Sequence, residues 1–233
     1  MNSSVAMACE QTETDDGVVL VVDDDRDVRR ALAGLFRSIG LATESFASGE
    51  ELLAHEFPDR PVCIVLDVRL RGVSGLDLQI HLNRAGRSAS IVFISGYGDV
   101  PMTVAAMKAG AINFIAKPFR EQDLLDAVNE ALLRDRERRH ALSQTLELRE
   151  RFETLTGREQ EVMKLLVHGL MNKQAADELG ISQATIKIHR GQAMRKMRAR
   201  TFADLIIMAQ VLGLVGAECD VTPSVVSPVA HAG

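Results

Sequence analysis

Between Val18 and about Leu133, short apolar runs alternate with longer stretches in which apolar residues recur every three or four positions. The runs are Val18 to Val22, Ala42 to Phe46, Val62 to Leu66, Ile91 to Ile94 and Asn113 to Ala116, and their β-rich composition predicts strands. Five strands separated by amphipathic stretches form the pattern of βα units on a parallel sheet. In the first intervening stretch Val28, Ala31, Leu32, Leu35, Phe36 and Ile39 fall on one helical face. A fourth helix is expected to start at Pro101, where the missing N–H costs nothing, and to end at Gly110.

Beyond Phe119 a helical pattern runs through Leu124, Leu125, Val128 and Leu132 into the charge run Arg134 to Arg139, then through Leu142, Leu146 and Phe152. It predicts a last helix extended into a helical linker, and a solvated spacer fits the same pattern. Four helix signatures follow. Thr156 and Glu159 form a capping box before Val162, Leu165 and Leu166, and Gly169 closes that helix. A short helix from about Asn172 ends at Gly180, Ser182 caps a longer one through Met197, and Thr201 with Asp204 opens the last. The expected organisation is an N-terminal segment (1–17), a βα domain (18–133), a linker (134–151), a helical domain (152–216) and a tail (217–233). The two ends lack periodicity and are expected to be disordered.

Charge changes the picture because it is unevenly spread. The net value is −5, yet Arg151 to Gly213 carries ten Lys and Arg against six Asp and Glu, about +4, which leaves about −9 for the remainder. Gln183 to Ala203 holds six basic residues (Lys187, Arg190, Arg195, Lys196, Arg198, Arg200) and no acid, a concentration of positive potential on one short element. No apolar run reaches the roughly 18 to 20 residues that cross a bilayer, and the N-terminus lacks the pattern of a signal peptide, so a cytoplasmic location is expected. Cys9, Cys63 and Cys219 are odd in number and far apart, which argues against a disulfide framework or a zinc site.

Side chains following the C-terminal ends of parallel strands meet in a crevice. Asp23 and Asp24 follow the first strand, Asp67 ends the third, Ser95 ends the fourth and Lys117 follows the fifth. Three carboxylates a few Å apart would raise one another's pKa unless a cation compensates, which implies Mg²⁺, with Lys117 as a second positive centre. Such a pocket suits phosphoryl transfer onto a carboxylate, and Asp67, alone at a strand end, is the best nucleophile. Asp25 and Asp27 read as a helix cap or solvated charges. A phosphatase of the haloacid dehalogenase type, which wants its nucleophile after the first strand and a second acid two residues on, fits Asp23 and Asp25 loosely.

Val21-Val22-Asp23-Asp24-Asp25, Leu66-Asp67-Val68-Arg69-Leu70, Ile94-Ser95-Gly96-Tyr97-Gly98-Asp99-Val100-Pro101-Met102 and Phe114-Ile115-Ala116-Lys117-Pro118-Phe119 together resemble the receiver domain of response regulators, over roughly Val18 to Leu133. The resemblance is to the FixJ/NarL family, in its FixJ/StyR-like branch. It implies a flavodoxin-like (CheY-like) doubly wound five-stranded parallel sheet of order 2-1-3-4-5. It further implies that Asp67 accepts phosphate from a sensor histidine kinase, and that Asp24, Asp67 and the Arg69 carbonyl bind Mg²⁺ with Asp23 helping through water. Ser95 would be the switch hydroxyl, Phe114 the aromatic that turns inward, and Lys117 the phosphate contact before a cis-Pro118. Receivers themselves catalyse only the transfer and hydrolysis of that phosphoryl group, so no further enzyme activity is expected. One departure is Arg71, where the family usually has proline four residues after the nucleophile.

Two short helices joined by Leu179-Gly180-Ile181-Ser182, the second rich in base, form a helix-turn-helix pattern, although a helical hairpin with a cationic face fits charge alone. Leu155-Thr156-Gly157-Arg158-Glu159 with Glu161-Val162, Gly169-Leu170-Met171-Asn172-Lys173, and Ile181 through Arg190 resemble the LuxR-type domain over about Phe152 to Leu214. On a helix after Ser182, Lys187, Ile188 and Gly191 can share a face toward the major groove, and the resemblance puts base contacts there. Lys173, Thr185, Arg190 and Arg195 are candidates for phosphate contacts, and His189 for packing or a bond to the backbone rather than for base reading. Joined, the halves imply a phosphorylation-gated transcription factor, an activator rather than a repressor. Its expected partners are DNA, the kinase, RNA polymerase and, when phosphorylated, a second copy of the chain. A signalling module that binds a protein instead of DNA is the alternative.

Overall fold

Five parallel strands, β1 (Val18–Val22), β2 (Ala42–Phe46), β3 (Val62–Asp67), β4 (Ser90–Ser95) and β5 (Asn113–Ala116), form one sheet in the order β2-β1-β3-β4-β5. The computed structural model describes residues 17–87, 89–96 and 99–215. The two ends expected to be disordered, with Cys9 and Cys219, lie outside the described residues, apart from Gly17. That glycine is buried, and a Cβ on it would lie 2.5 Å from Leu132 Cδ2. The chain divides between His140 and Ala141 into two compact units.

In the first unit α1 (Arg26–Ser38), α2 (Gly49–Ala54), α3 (Gly75–Arg84) and α4 (Val100–Lys108) connect the strands, and α5 (Glu121–Glu153) starts there after β5. Side chains alternate across the pleat, so each central strand feeds two cores. Leu20, Ile64, Leu66 and Phe93 pack with Leu52 of α2, Leu78 of α3 and Ala106 of α4. Val19, Val21, Cys63, Val65, Val92 and Ile94 pack with Leu32 and Phe36 of α1 and with Leu124, Val128 and Leu132 of α5. A strand buried on both faces must be apolar throughout, which is why β1 and most of β3 read as unbroken runs.

Caps set the helix starts. The Asp25 carboxylate accepts the Asp27 and Val28 N–H groups at the head of α1, and Ser48, Ser74 and Asp99 do the same for α2, α3 and α4. Two expectations need correction. The fourth helix starts at Val100, one residue before Pro101, because Asp99 is its cap, while Gly110, at φ 93° just past the C-cap Ala109, closes it as its sequence suggests. Helix α1 stops at Ser38, so Ile39 leaves the buried face and is 47% exposed.

The start of β3 is tied to α5 by a buried carboxylate. Asp135, 1% exposed, accepts the Val62 N–H at 3.0 Å, Arg138 Nη2 at 2.6 Å and Arg139 Nε at 3.1 Å. Arg139 also donates to Asp59 and to the Pro58 carbonyl, 2.8 and 2.9 Å away. The charge run therefore holds the loop before β3 onto the helix.

The second unit contains α6 (Gly157–Val167), α7 (Asn172–Leu179), α8 (Gln183–Met197) and α9 (Phe202–Val211). Ile186 of α8 packs with Val162 and Leu166 of α6 and Ala175 and Ala176 of α7, while Ala193 and Met197 pack with Met163, Leu205 and Ala209. The sharp turn between α7 and α8 needs a left-handed residue, and Gly180 supplies it at φ 65°.

Asp135→Ala would orphan the buried Val62 amide and two guanidinium groups, and should destabilise the first unit by roughly 2–3 kcal/mol. Urea unfolding followed by circular dichroism would measure it, and Arg138→Ala, which leaves Arg139 in place, should cost clearly less.

Candidate functional site

Strand parity decides which side chains can meet. Asp23 continues the series Val19, Val21; Asp67 continues Cys63, Val65; and Lys117 continues Asn113, Ile115. All three therefore emerge on the α1 and α5 face. The Lys117 ammonium sits between the two carboxylates, donating to Asp23 Oδ2 at 2.8 Å and to Asp67 Oδ2 at 2.7 Å. Their other oxygens accept backbone amides, from Asp25 N–H to Asp23 Oδ1 at 2.8 Å and from Arg69 N–H to Asp67 Oδ1 at 2.9 Å. Asp23 and Asp67 are buried at 1% and 8% exposure, so their charge must be answered locally. Burial raises the pKa of the Asp23 carboxyl, opposed by the bond to Lys117 and the Asp25 amide. Burial pulls Lys117 down, but its bonds and charge contacts with Asp23 and Asp67 outweigh that and hold its pKa above the usual lysine value.

Asp24, just past the strand, turns elsewhere. Its Oδ2 accepts Arg71 Nε at 2.9 Å, and Arg71 lies on the loop after β3. Ser95 and Phe114 have the opposite parity and belong to the α3 and α4 side, with Ser95 fully buried and Phe114 half-buried 6.2 Å from the Phe93 ring. The Ser95 carbonyl accepts the Lys117 N–H at 2.7 Å, and the Lys117–Pro118 bond is cis. Tyr97 and Gly98 lie outside the described residues. Asp23 and Asp67 converge on Lys117 while Asp24 turns to Arg71, and among the described residues no three acidic, histidine or cysteine side chains form a ready metal cage. The donor chemistry still fits Mg²⁺, a hard ion that needs only one or two carboxylates and keeps several waters. Asp25 is engaged as the α1 cap, which removes the second acid that a phosphatase reading required.

In the second unit Lys187, Ile188 and Gly191 are exposed on α8, Ile188 at 59% although it is aliphatic. A Cβ on Gly191 would meet nothing within 4 Å. Lys173 and Arg195 are exposed as well. Thr185 is half-buried, its hydroxyl 2.9 Å from that of Ser182, and Arg190 lies over the Phe202 ring with its guanidinium carbon 4.6 Å from the centroid. His189 is partly buried, and its Nδ1 makes no hydrogen bond to the backbone or to another side chain among the described residues. Lys196 departs from its reading as part of the cationic surface. It points inward, donating to Glu159 Oε2 at 2.6 Å and to the Thr154 carbonyl at 3.1 Å.

Residues 19–129 match the response regulator receiver domain, and residues 153–209 match the bacterial regulatory proteins of the luxR family. Nodulation protein W of Bradyrhizobium diazoefficiens is 55% identical over 197 residues, which are 84% of this chain and 87% of that protein. Transcriptional regulatory protein FixJ of Azorhizobium caulinodans is 40% identical over 206 residues, 88% of this chain and 97% of that one. The solved structure of response regulator StyR aligns at TM-score 0.74 and 47% identity, covering 84% of this chain and 98% of the other. The chain belongs to the response regulators. It joins a receiver of flavodoxin-like fold to a LuxR-type helix-turn-helix domain, the make-up of a two-component transcriptional regulator. No helix among the described residues is long and apolar enough to cross a membrane.

Two features of this response regulator escape a reading of single residues. Gly75, at the start of α3, lies against the phosphoacceptor candidate's own backbone, where a Cβ would come within 2.4 Å of the Asp67 carbonyl oxygen. Any side chain there would push the end of β3, and the Ser74-Gly75 pair at a helix start is the signal for it. The other is Glu159, whose carboxylate joins a capping box and an ion pair. The Lys196 bond, aided by the Thr156 amide, outweighs burial and lowers its pKa below the usual glutamate value. A carboxyl with a lowered folded pKa contributes stability above the ordinary value and loses it as pH falls through the lowered one. The stability gap between the natural chain and Glu159→Gln, measured by thermal melting, should therefore be widest near neutral pH and close in acid. Lys196→Ala should destabilise the second unit by about 1–3 kcal/mol while leaving the salt dependence of DNA binding unchanged.

Proposed function

We propose that Asp67 accepts a phosphoryl group from a sensor histidine kinase and that this modification governs DNA binding by α8. The observation that carries the proposal is the Lys117 ammonium shared between Asp67 and Asp23 at the C-terminal edge of the sheet. Asp67 attacks the phosphorus in line: an O–P bond forms as the donor's N–P bond breaks, and the electron pair leaves with the imidazole nitrogen. The Arg69 amide and Lys117 fix the attacking carboxylate before transfer. Lys117 is then poised to hold a phosphoryl oxygen. Asp24, Asp67 and the Arg69 carbonyl, with Asp23 through water, would hold Mg²⁺, which when bound neutralises charge on the transferring oxygens. The same groups would serve self-catalysed transfer from small donors and slow hydrolysis.

Ser95 and Phe114 share the α4 side of the sheet, so a hydroxyl drawn toward the phosphoryl group would vacate space for the aromatic ring and shift the α4–β5 surface. The proposed consequence is a homodimer of the phosphorylated chain that binds paired half-sites, contacts RNA polymerase and activates transcription in the cytoplasm. The receiver (18–133), the linker (134–151) and the DNA-binding domain (152–216) divide these tasks. Lys187, Ile188 and Gly191 read base edges, while Lys173, Thr185, Arg190 and Arg195 bind phosphates.

Intact-mass measurement after incubation with acetyl phosphate and Mg²⁺ should find one added phosphoryl group on the natural chain and none on Asp67→Asn; labelling that survives the substitution would remove Asp67 from this role. On the DNA side the expected signs diverge. Gly191→Ala should stabilise the helix by roughly 0.5–1 kcal/mol yet weaken binding, because the added methyl stands where the groove approaches. Arg195 meets the backbone and not the bases in this reading, so Arg195→Ala should lower the salt slope by about one at any sequence, as read by fluorescence anisotropy.

A further inference from the structure

Arg71 is placed by its loop rather than by its own packing. Val68 and Leu70 are buried, which leaves the alternating Arg69 and Arg71 outside, and Gly72 turns the chain immediately afterwards at φ 90°. The Arg71 side chain is 89% exposed, and its bond to Asp24 is the one polar contact found for that carboxylate among the described residues. Lys117 does not serve Asp24, since its bonds go to Asp23 and Asp67. The carboxylates of the crevice thus have separate cations, one buried at the strand ends and one reaching in from the loop.

We infer that Arg71 is a tethered competitor for the divalent cation at Asp24, a residue that sets how tightly this receiver holds its metal. The inference rests on the Mg²⁺ reading given above. A guanidinium on Asp24 Oδ2 partly neutralises the carboxylate and sets a positive charge where a hard cation would approach. A metal at Asp24 works against Arg71, and the affinity falls by up to the strength of the ion pair. For a pair this exposed the strength is small, which corresponds to a loss of about two- to fivefold in affinity. That is enough to tune a site without closing it.

The test uses the full-length chain and Mn²⁺ as a paramagnetic probe, with free Mn²⁺ read by electron paramagnetic resonance and Mg²⁺ added as competitor. Arg71→Ala should tighten both ions by about two- to fivefold, and Arg71→Lys, which keeps the charge, should stay close to the natural chain. In an Asp24→Asn background the Arg71→Ala change should have no effect. Equal or weaker binding by Arg71→Ala would overturn the inference while leaving the metal site intact. Failure of the natural chain and of Arg71→Ala alike to bind either ion would overturn the metal reading and the inference with it. Circular dichroism checks that each variant is folded, and the exposure of Arg71 makes loss of fold an unexpected outcome.

Discussion

One ammonium group between two buried carboxylates holds the functional end of the receiver together. Asp23 and Asp67 end adjacent strands and cannot both stay ionised beside each other unless positive charge lies within hydrogen-bond reach. Lys117 meets that demand from the far side of the sheet, reaching past the end of β4 to β3 and β1. The strand order and the parity of the pleat are thus conditions of the chemistry. A shift of one residue in β5 would turn Lys117 to the face where Phe114 packs and leave two buried anions without an answer.

Much of the fold was legible because its signals are local. Strand cores follow from apolar runs, and the caps Asp25, Ser182, Thr156 and Thr201 mark helix starts by their own side chains. The misses have equally local causes. Pro101 looks like a helix start, but the residue that accepts the free amide is Asp99, so the helix opens at Val100. Asp135 sits in a run of charge that composition assigns to solvent. Its helical position, one turn after Ala131 and Leu132, lies on the buried stripe, and its partner at Val62 is 73 residues away in sequence, beyond the reach of any local pattern.

The site was legible to a different degree in its two parts. Asp23, Asp67 and Lys117 come together because strand ends leave few places for a side chain to go. Asp24 and Arg71 lie on loops, and nothing in their spacing announces the bond between them. On α8 charge alone misled. Lys196 counts as one of six bases, but it is flanked by the buried Ala193 and Met197, and the helix turns it toward Glu159. Arg190 lies against the Phe202 ring yet stays partly open to solvent, so stacking fixes its direction without taking its charge from the surface.

Buried carboxylates with cationic partners recur in both units, and their partners separate scaffold from site. Asp135 faces two guanidinium groups, and Glu159 faces one ammonium; each also accepts a backbone amide, so every anion is answered within the chain. In the crevice Asp23 and Asp67 share the one Lys117 ammonium, and Asp24, partly open to solvent, pairs with the exposed Arg71. The scaffold carboxylates are closed off by partners of their own, whereas those of the crevice share a cation or hold a solvent-exposed one, so the proposed uptake of a divalent cation would meet less resistance there than at Asp135 or Glu159.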